Sequence, residues 1–394
     1  MSGTISIQET GVEARLAGAF ATIDLRALQQ NYRALAARAA PARTACVVKA
    51  DAYGLGIAKA VPALAAAGCD TFFVAWPEEG RAVREAAPDA RIFVLGGLFG
   101  REAAEAYAEA KLIPVLNSRG EAAIWEGFCS TDGVARPCAI HVDTGMNRLG
   151  LTLDQARTLA EENALTGALD PVLVMSHLAC GDQPDHPLNQ RQLTAFTQVR
   201  RLFGGIEASL ANSAGIQLGA DYHFDLVRPG VALFGGLSGP GLEPVVTVQA
   251  RIVQIRHVRA GEAVSYGAAA VMQRDSRVAI CAAGYADGLH RALSGSGVPL
   301  REITGGGHGF AAGRRVPVLG RVTMDMTMFD ITDVEGGALT VGDRIEFFGP
   351  NIGIEEAATA AGTISYELLT GLGRRHHRTY IGPSGESGTS GDQR

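Results

Sequence analysis

A (β/α)8 barrel of the TIM type followed by a smaller, mostly-β domain is the architecture this sequence predicts, and three observations carry the prediction. Eight short apolar runs recur between residues 46 and 233, most of them separated by amphipathic helical segments. Near residue 240 that alternation stops at the Gly-rich joint Gly235–Gly241, and short strand patterns with Gly-bearing turns take over. The length, 394 residues, suits two domains at about 150 residues each. The expected division is a barrel at 12–240, a β domain at 241–382 and a disordered Gly/Ser-rich tail at 383–394.

In chain order, Asp24 can cap a helix whose Leu25, Leu28, Tyr32 and Leu35 share one face. The eight runs are Cys46–Lys49, Phe72–Trp76, Ile92–Gly96, Leu112–Leu116, Ala139–Asp143, Leu173–His177, Ala208–Asn212 and Leu226–Leu233. Helical segments fall at Glu78–Ala87, Glu102–Ala110 and Leu153–Asn163, the last opened by a Thr152/Gln155 capping box. Strict alternation favours a closed barrel over a doubly wound sheet, although one miscounted strand would restore the open sheet. Beyond the joint, Val246–Val258 alternates with a phase slip at Ile252/Val253, the mark of a bulged strand. Strands follow at Arg277–Ala282, Val316–Val318, Met328–Ile331 and Arg344–Phe348, then helices near Glu355–Ala361 and Ser365–Leu372. Gly305–Gly307 lacks the strand-to-helix setting of a phosphate loop and reads as a turn.

Composition narrows the function. A net charge of −6 gives no electrostatic reason to bind nucleic acid or an anionic membrane, so a small-molecule partner is expected. No apolar run reaches the roughly 18 residues of a spanning helix. The six cysteines form no C-x-x-C pair, and no basic segment followed by an apolar one opens the chain. Reduced thiols, a cytoplasmic location and no metal site are the expectation.

The chain has three lysines, Lys49, Lys59 and Lys111, among 35 Lys and Arg residues. Lys49 closes the first apolar run, where burial lowers an ammonium pKa towards nucleophilic use. The alternative is a lysine that snorkels to solvent. In a barrel, the strand ends that form the catalytic mouth would carry Lys49, Asp143 with Arg148, His177, Asn212 with Ser213, and Arg228. Ser213, Gly230 and the Val231 amide fall after strands seven and eight, where such barrels hold phosphate. A phosphate held opposite a buried lysine points to pyridoxal phosphate. Each residue also has a structural reading: an Asp143/Arg148 ion pair, a core His177, a strand bend at Gly230.

Taken together, these residues resemble the alanine racemase family over nearly the whole chain. Val48-Lys-Ala-Asp-Ala-Tyr-Gly54 looks like its cofactor-lysine signature, and Asp143-Thr-Gly-Met-Asn-Arg-Leu-Gly150 like its barrel-arginine motif. Ser176-His177, Ala211-Asn-Ser213 and Val227-Arg-Pro-Gly230 follow. The second domain adds Val264-Ser-Tyr-Gly267, Gly284-Tyr-Ala-Asp-Gly288, Gly320-Arg-Val-Thr-Met-Asp325 and Thr363-Ile-Ser-Tyr-Glu367.

The resemblance implies an interconversion of L- and D-alanine that supplies D-alanine for peptidoglycan. It implies pyridoxal 5'-phosphate on Lys49, with Lys49 and Tyr266 as the two proton-transfer bases, and a head-to-tail homodimer in which each tyrosine serves the partner's barrel. Tyr53, Ser213, Gly230, Val231 and Tyr366 would hold the phosphate. His177 would pack beside the ring, Arg148 would contact its hydroxyl side, the Met324 backbone would seat the substrate carboxylate, and Tyr285 would line the entrance. Racemisation takes a proton from one face and returns one to the other, so it needs two bases. Tyrosine is a poor base near its ordinary pKa of about 10 unless a cation lowers it, which an Arg228–His177 chain would help do. Arg228 cannot give up its proton, so a pyridine nitrogen facing it stays an acceptor, which favours reprotonation over transamination.

One departure stands out. The family often has a carbamylated lysine two residues before the motif aspartate, and here that position is His141. His141, a bound anion such as chloride, or both are expected to steady Arg148. Leu55 and Phe234 stand where histidine and tyrosine are common. Competing readings are a broader small-amino-acid (serine) racemase, a decarboxylase or aldolase of related architecture, and a cofactor-carrying single barrel, which the second domain disfavours.

Overall fold

The structure, a computed structural model, describes residues 5–167 and 169–383. It divides into two compact units, Gln29–Leu233 and a second made of Met1–Leu28 with Phe234–Arg394.

In Gln29–Leu233, seven parallel strands lie side by side in sequence order: Cys46–Val47, Thr71–Val74, Arg91–Val94, Ile113–Leu116, Pro137–His141, Asp170–Met175 and Glu207–Ser209. An eighth, Leu226–Val227, closes the ring. It pairs in parallel with Arg43–Thr44, the residues just before the first strand, and Ala45 N–H donates to Val227 O at 2.9 Å. On its other side Arg228 bridges to Asn212, beyond the seventh strand. The eight expected strands are therefore all present, in a closed barrel. Burial explains their continuous apolar runs: every residue of Thr71–Val74 is buried, as strands covered on both faces require. Phe73 and Phe93 stack at 4.7 Å across two neighbouring strands. The expected helices appear as Pro77–Ala86, Arg101–Glu109 and Leu153–Thr166, the last with the Thr152/Gln155 capping box formed.

The other unit holds a nine-stranded sheet. Its long strand Val246–Val258 has a register shift between Ile252 and Gln254, where the phase slip placed a bulge. Its first half pairs with Ala19–Asp24 and Arg344–Phe348, and its second half with Ser276–Cys281. The expected strands recur as Ser276–Cys281, Arg314–Leu319, Thr327–Asp330 and Arg344–Phe348, and the helices as Ile354–Ala360 and Ser365–Thr370. Gly305–Gly307 lies outside helix and strand, immediately before the strand His308–Ala311.

Two differences from expectation concern the ends of the chain. Residues 12–28, expected with the barrel, belong to the sheet unit, because Ala19–Asp24 hydrogen-bonds to Val246–Val258 and runs parallel to His376–Pro383. Pro383 ends that last strand, and the remainder of the expected tail lies outside the described residues. Among the described residues, no helix is long and apolar enough to cross a membrane.

Candidate active site

Lys49 follows the strand Cys46–Val47 and is half-buried, with its amine pushed below the ordinary value by burial and by the Arg148 charge, against the opposing pull of Glu79. The turn it opens is unusual. Ala50, Asp51, Ala52 and Tyr53 all take left-handed conformations, at φ 53–55°. Non-glycine residues there cost about 1–2 kcal/mol each, so local bonds must offset the strain. Ala52 N–H donates to Val48 O at 2.9 Å, Gly54 N–H to Ala50 O at 2.7 Å, and Ile57 N–H to Asp51 Oδ1 at 2.8 Å. From a neighbouring element, Glu79 Oε1 accepts from Ala50 N–H at 2.6 Å.

The turn brings Tyr53 to the end of the eighth strand. A Cβ at Gly230 would stand 2.3 Å from Tyr53 Oη, so only glycine admits the phenol there. Ser213 Oγ accepts from Gly230 N–H at 2.9 Å and from Ala232 N–H at 3.3 Å. Between those two amides, Val231 is buried and its N–H donates to nothing among the described residues. A buried orphan amide beside a serine hydroxyl and a phenol fits an anion such as phosphate, at the strand ends where the sequence located one.

Arg228 is buried in the barrel. It donates to Ser209 Oγ, to Ser176 O at 2.7 Å and to Leu210 O at 3.4 Å. Burial lowers its pKa to about 9, still above neutral pH, so the charge remains. Three of its five N–H groups are spent in these bonds, and neither Nε–H nor the second Nη1–H has a hydrogen bond among the described residues, which leaves Nε–H for an acceptor such as a pyridine nitrogen. The expected Arg228–His177 chain is not a direct bond: the guanidinium is engaged by Ser176 and Ser209. Charge still couples the two, because burial first and then Arg228 hold His177 well below the usual histidine range.

Arg148 sits in a loop shaped by its own motif. Asp143 Oδ1 accepts from Gly145 N–H at 2.9 Å and Met146 N–H at 2.8 Å, and a Cβ at Gly150 would lie 2.7 Å from Asp143 N. Asp143 is thus a turn former and not an ion-pair partner. The loop leaves Arg148 exposed. His141 does not hold it. Its Nδ1 is 2.7 Å from Asn117 Oδ1, and both Asn117 Nδ2 hydrogens are spent on Leu95 O and Val115 O. Asn117 Oδ1 must therefore accept, which places the proton on His141 Nδ1. Burial, with Arg228 adding to it, lowers His141 to about 4, so it is neutral at pH 7.

Sequence reasoning missed three residues that order this region: Glu79, Asn117 and Gln192. The fully buried Gln192 accepts from Ala179 N–H at 2.9 Å and donates to His177 O at 2.8 Å and Thr144 Oγ1 at 3.2 Å, tying the loops of His177 and Arg148 together. Only Glu79 left a signal, Pro77 and Glu79 at the N1 and N3 positions of a helix start.

In the sheet unit, Tyr266, Tyr285 and Met324 line one cavity of about 490 Å³ with Arg291, Arg321 and Asp325. Tyr266 is 73% exposed and follows Ser265, held at φ 72° by reciprocal bonds with Arg321. Tyr285 N–H donates to Thr323 O at 3.0 Å and Ala286 N–H to Met324 O at 3.0 Å, so the tyrosine and methionine segments are strapped side by side. Tyr366 lies on Ser365–Thr370 of the same unit, 40% exposed.

Fold and site define a barrel enzyme with a sheet domain, equipped for lysine chemistry on a phosphate-bearing cofactor. Residues 23–238 match the model of the alanine racemase N-terminal domain, and residues 245–380 that of the alanine racemase C-terminal domain. Alanine racemase of Rhizobium meliloti is 52% identical over 92% of this chain and 96% of its own length. The biosynthetic alanine racemase of Agrobacterium fabrum is also 52% identical, over 91% of this chain and 93% of its own. The crystal structure of alanine racemase from Bartonella henselae with covalently bound pyridoxal phosphate matches with a TM-score of 0.85 at 39% identity, covering 93% of this chain and 100% of that one. The chain belongs to the alanine racemase family.

Proposed function

We propose that this chain interconverts L- and D-alanine by a two-base mechanism with pyridoxal 5'-phosphate, Lys49 and Tyr266 being the bases. The observation that carries the reading is the pairing, on adjoining strands of one barrel, of a half-buried lysine whose amine is depressed with a buried orphan amide at Val231. Bound at this place, pyridoxal phosphate supplies the electron sink that acidifies the α-hydrogen of alanine.

The chain's residues do the rest. Tyr53, Ser213, Gly230 and Val231 hold the phosphate, with Tyr366 joining them, and His177 packs beside the ring. Arg228 keeps a fixed positive charge behind Nε and so holds its acceptor unprotonated. Arg148 and the Met324 backbone seat the substrate, and Tyr285 lines the entrance. Lys49 and Tyr266 move the α-proton on opposite faces. The head-to-tail homodimer is supported by Tyr266, too exposed in a single chain for a working base and lining a cavity with Met324 and Tyr285. A cytoplasmic location is supported by six free cysteines, and the D-alanine made there goes to peptidoglycan.

Deuterium exchange into the α-position of purified L- and D-alanine tests this. Wild type is expected to exchange from both enantiomers, and Tyr266→Phe to lose racemisation, and exchange from the one enantiomer Tyr266 deprotonates, on the order of 10²–10⁴-fold, while Lys49 still exchanges the other. Decarboxylation, or no exchange from either enantiomer, would overturn the racemase reading.

A further inference from the structure

The strained turn after Lys49 is fastened to a second barrel strand by one side chain. Ala50–Tyr53 are four successive non-glycine residues at φ 53–55°, a conformation that persists only when surrounding groups fix it. The first of them, Ala50, donates its N–H to Glu79 Oε1 at 2.6 Å. Glu79 Oε2 accepts from Ala75 N–H at 2.8 Å and from Trp76 N–H at 3.1 Å. One carboxylate thus joins the lysine turn to the end of strand Thr71–Val74 and to the start of helix Pro77–Ala86. Both its oxygens receive backbone donors, so a glutamine would set an NH2 against at least one N–H.

We propose that Glu79 is a positioning residue for Lys49: its carboxylate pins the left-handed turn and so fixes where the lysine amine stands at the barrel mouth. The inference rests on Lys49 being the cofactor lysine. Charge points the same way, since Glu79 raises the Lys49 pKa while burial and Arg148 lower it. The charged and titratable groups acting on the amine are Glu79, Arg148 and the neighbouring His177.

The test uses the full chain as wild type, Glu79→Gln and Glu79→Asp, with pyridoxal phosphate as probe. Two readouts besides turnover are followed: the rate at which cofactor becomes borohydride-trappable on Lys49, located by peptide mapping, and the pH midpoint of the absorbance of the lysine-linked cofactor. Glu79→Gln is expected to trap roughly tenfold more slowly, as misplacement of a reacting group does. Its midpoint is expected at lower pH, because a negative charge beside the amine is lost. Glu79→Asp keeps the charge but not the reach, so it is expected to trap slowly at a near-normal midpoint. Wild-type trapping with an unmoved midpoint in Glu79→Gln would overturn the proposal, whatever its melting temperature. If Glu79→Gln does not fold, Glu79→Asp decides: slow trapping supports the proposal and wild-type trapping overturns it. Label on Lys59 or Lys111 in wild type would overturn the Lys49 reading itself, an outcome distinct from failure of the Glu79 role.

Discussion

His141 shows how one residue can be both anomalous and well fitted. It occupies a position where the family often has lysine, yet its ring is buried, its Nδ1–H is committed to Asn117 and its pKa sits near 4 instead of 6.5. A histidine whose folded pKa is depressed stays neutral in the native state while the unfolded chain takes up a proton. Its contribution to stability is therefore full above pH 6.5 and is lost as pH falls towards 4. The loss attributable to His141 is about 3 kcal/mol at the bottom of that window. His177, also depressed, adds to the acid slope with the same sign. Denaturant unfolding of wild type and His141→Gln between pH 4 and 7 checks this. The wild type is expected to lose stability more steeply on acidification; equal slopes would contradict it. At this scale the sequence disclosed what local spacing encodes: a lysine at a strand end, a serine and a glycine after the last two strands. Asn117 and Gln192 were silent because their partners lie on other strands and loops, 24 residues away for His141 and 48 for Thr144.

Among elements, the barrel strands were legible because burial on both faces leaves continuous apolar runs with helices between them. The strands Ile5–Gly11, Ala19–Asp24 and His376–Pro383 were not read, because each owes its pairing to a chain segment far away in sequence. His308–Ala311 was not read either, although its main partner is the adjacent Arg314–Leu319. His308–Ala311 also carries Gly309, where a Cβ would stand 2.5 Å from Ile345 Cγ2, so glycine there marks close packing and not a break. Gly284 serves the strapped Tyr285 and Met324 segments in the same way. A Cβ at this position would be 2.1 Å from Thr323 O and 2.5 Å from Met324 O. Gly284→Ala is expected to destabilise the protein by about 1–3 kcal/mol through overpacking. Gly353→Ala, with nothing within 4 Å of the added carbon, is the near-neutral control. Thermal unfolding of the two variants measures the difference, and an equal melting temperature would contradict the strapping argument.

For the whole molecule, Lys49 and Tyr266 fall in different compact units. If the tyrosine serves the partner's barrel, two inactive chains can restore each other. Co-expressing Lys49→Ala with Tyr266→Phe yields mixed dimers in which one site lacks both bases and the other keeps both intact. With random pairing, half of the dimers are mixed, so about a quarter of wild-type racemase activity is expected to return, from variants that alone are nearly inactive. Restored activity in the mixed dimers reports directly on whether the two bases of one site come from two chains. Recovery near a quarter is the predicted result, and co-expressed variants no more active than the better of the two alone would contradict it.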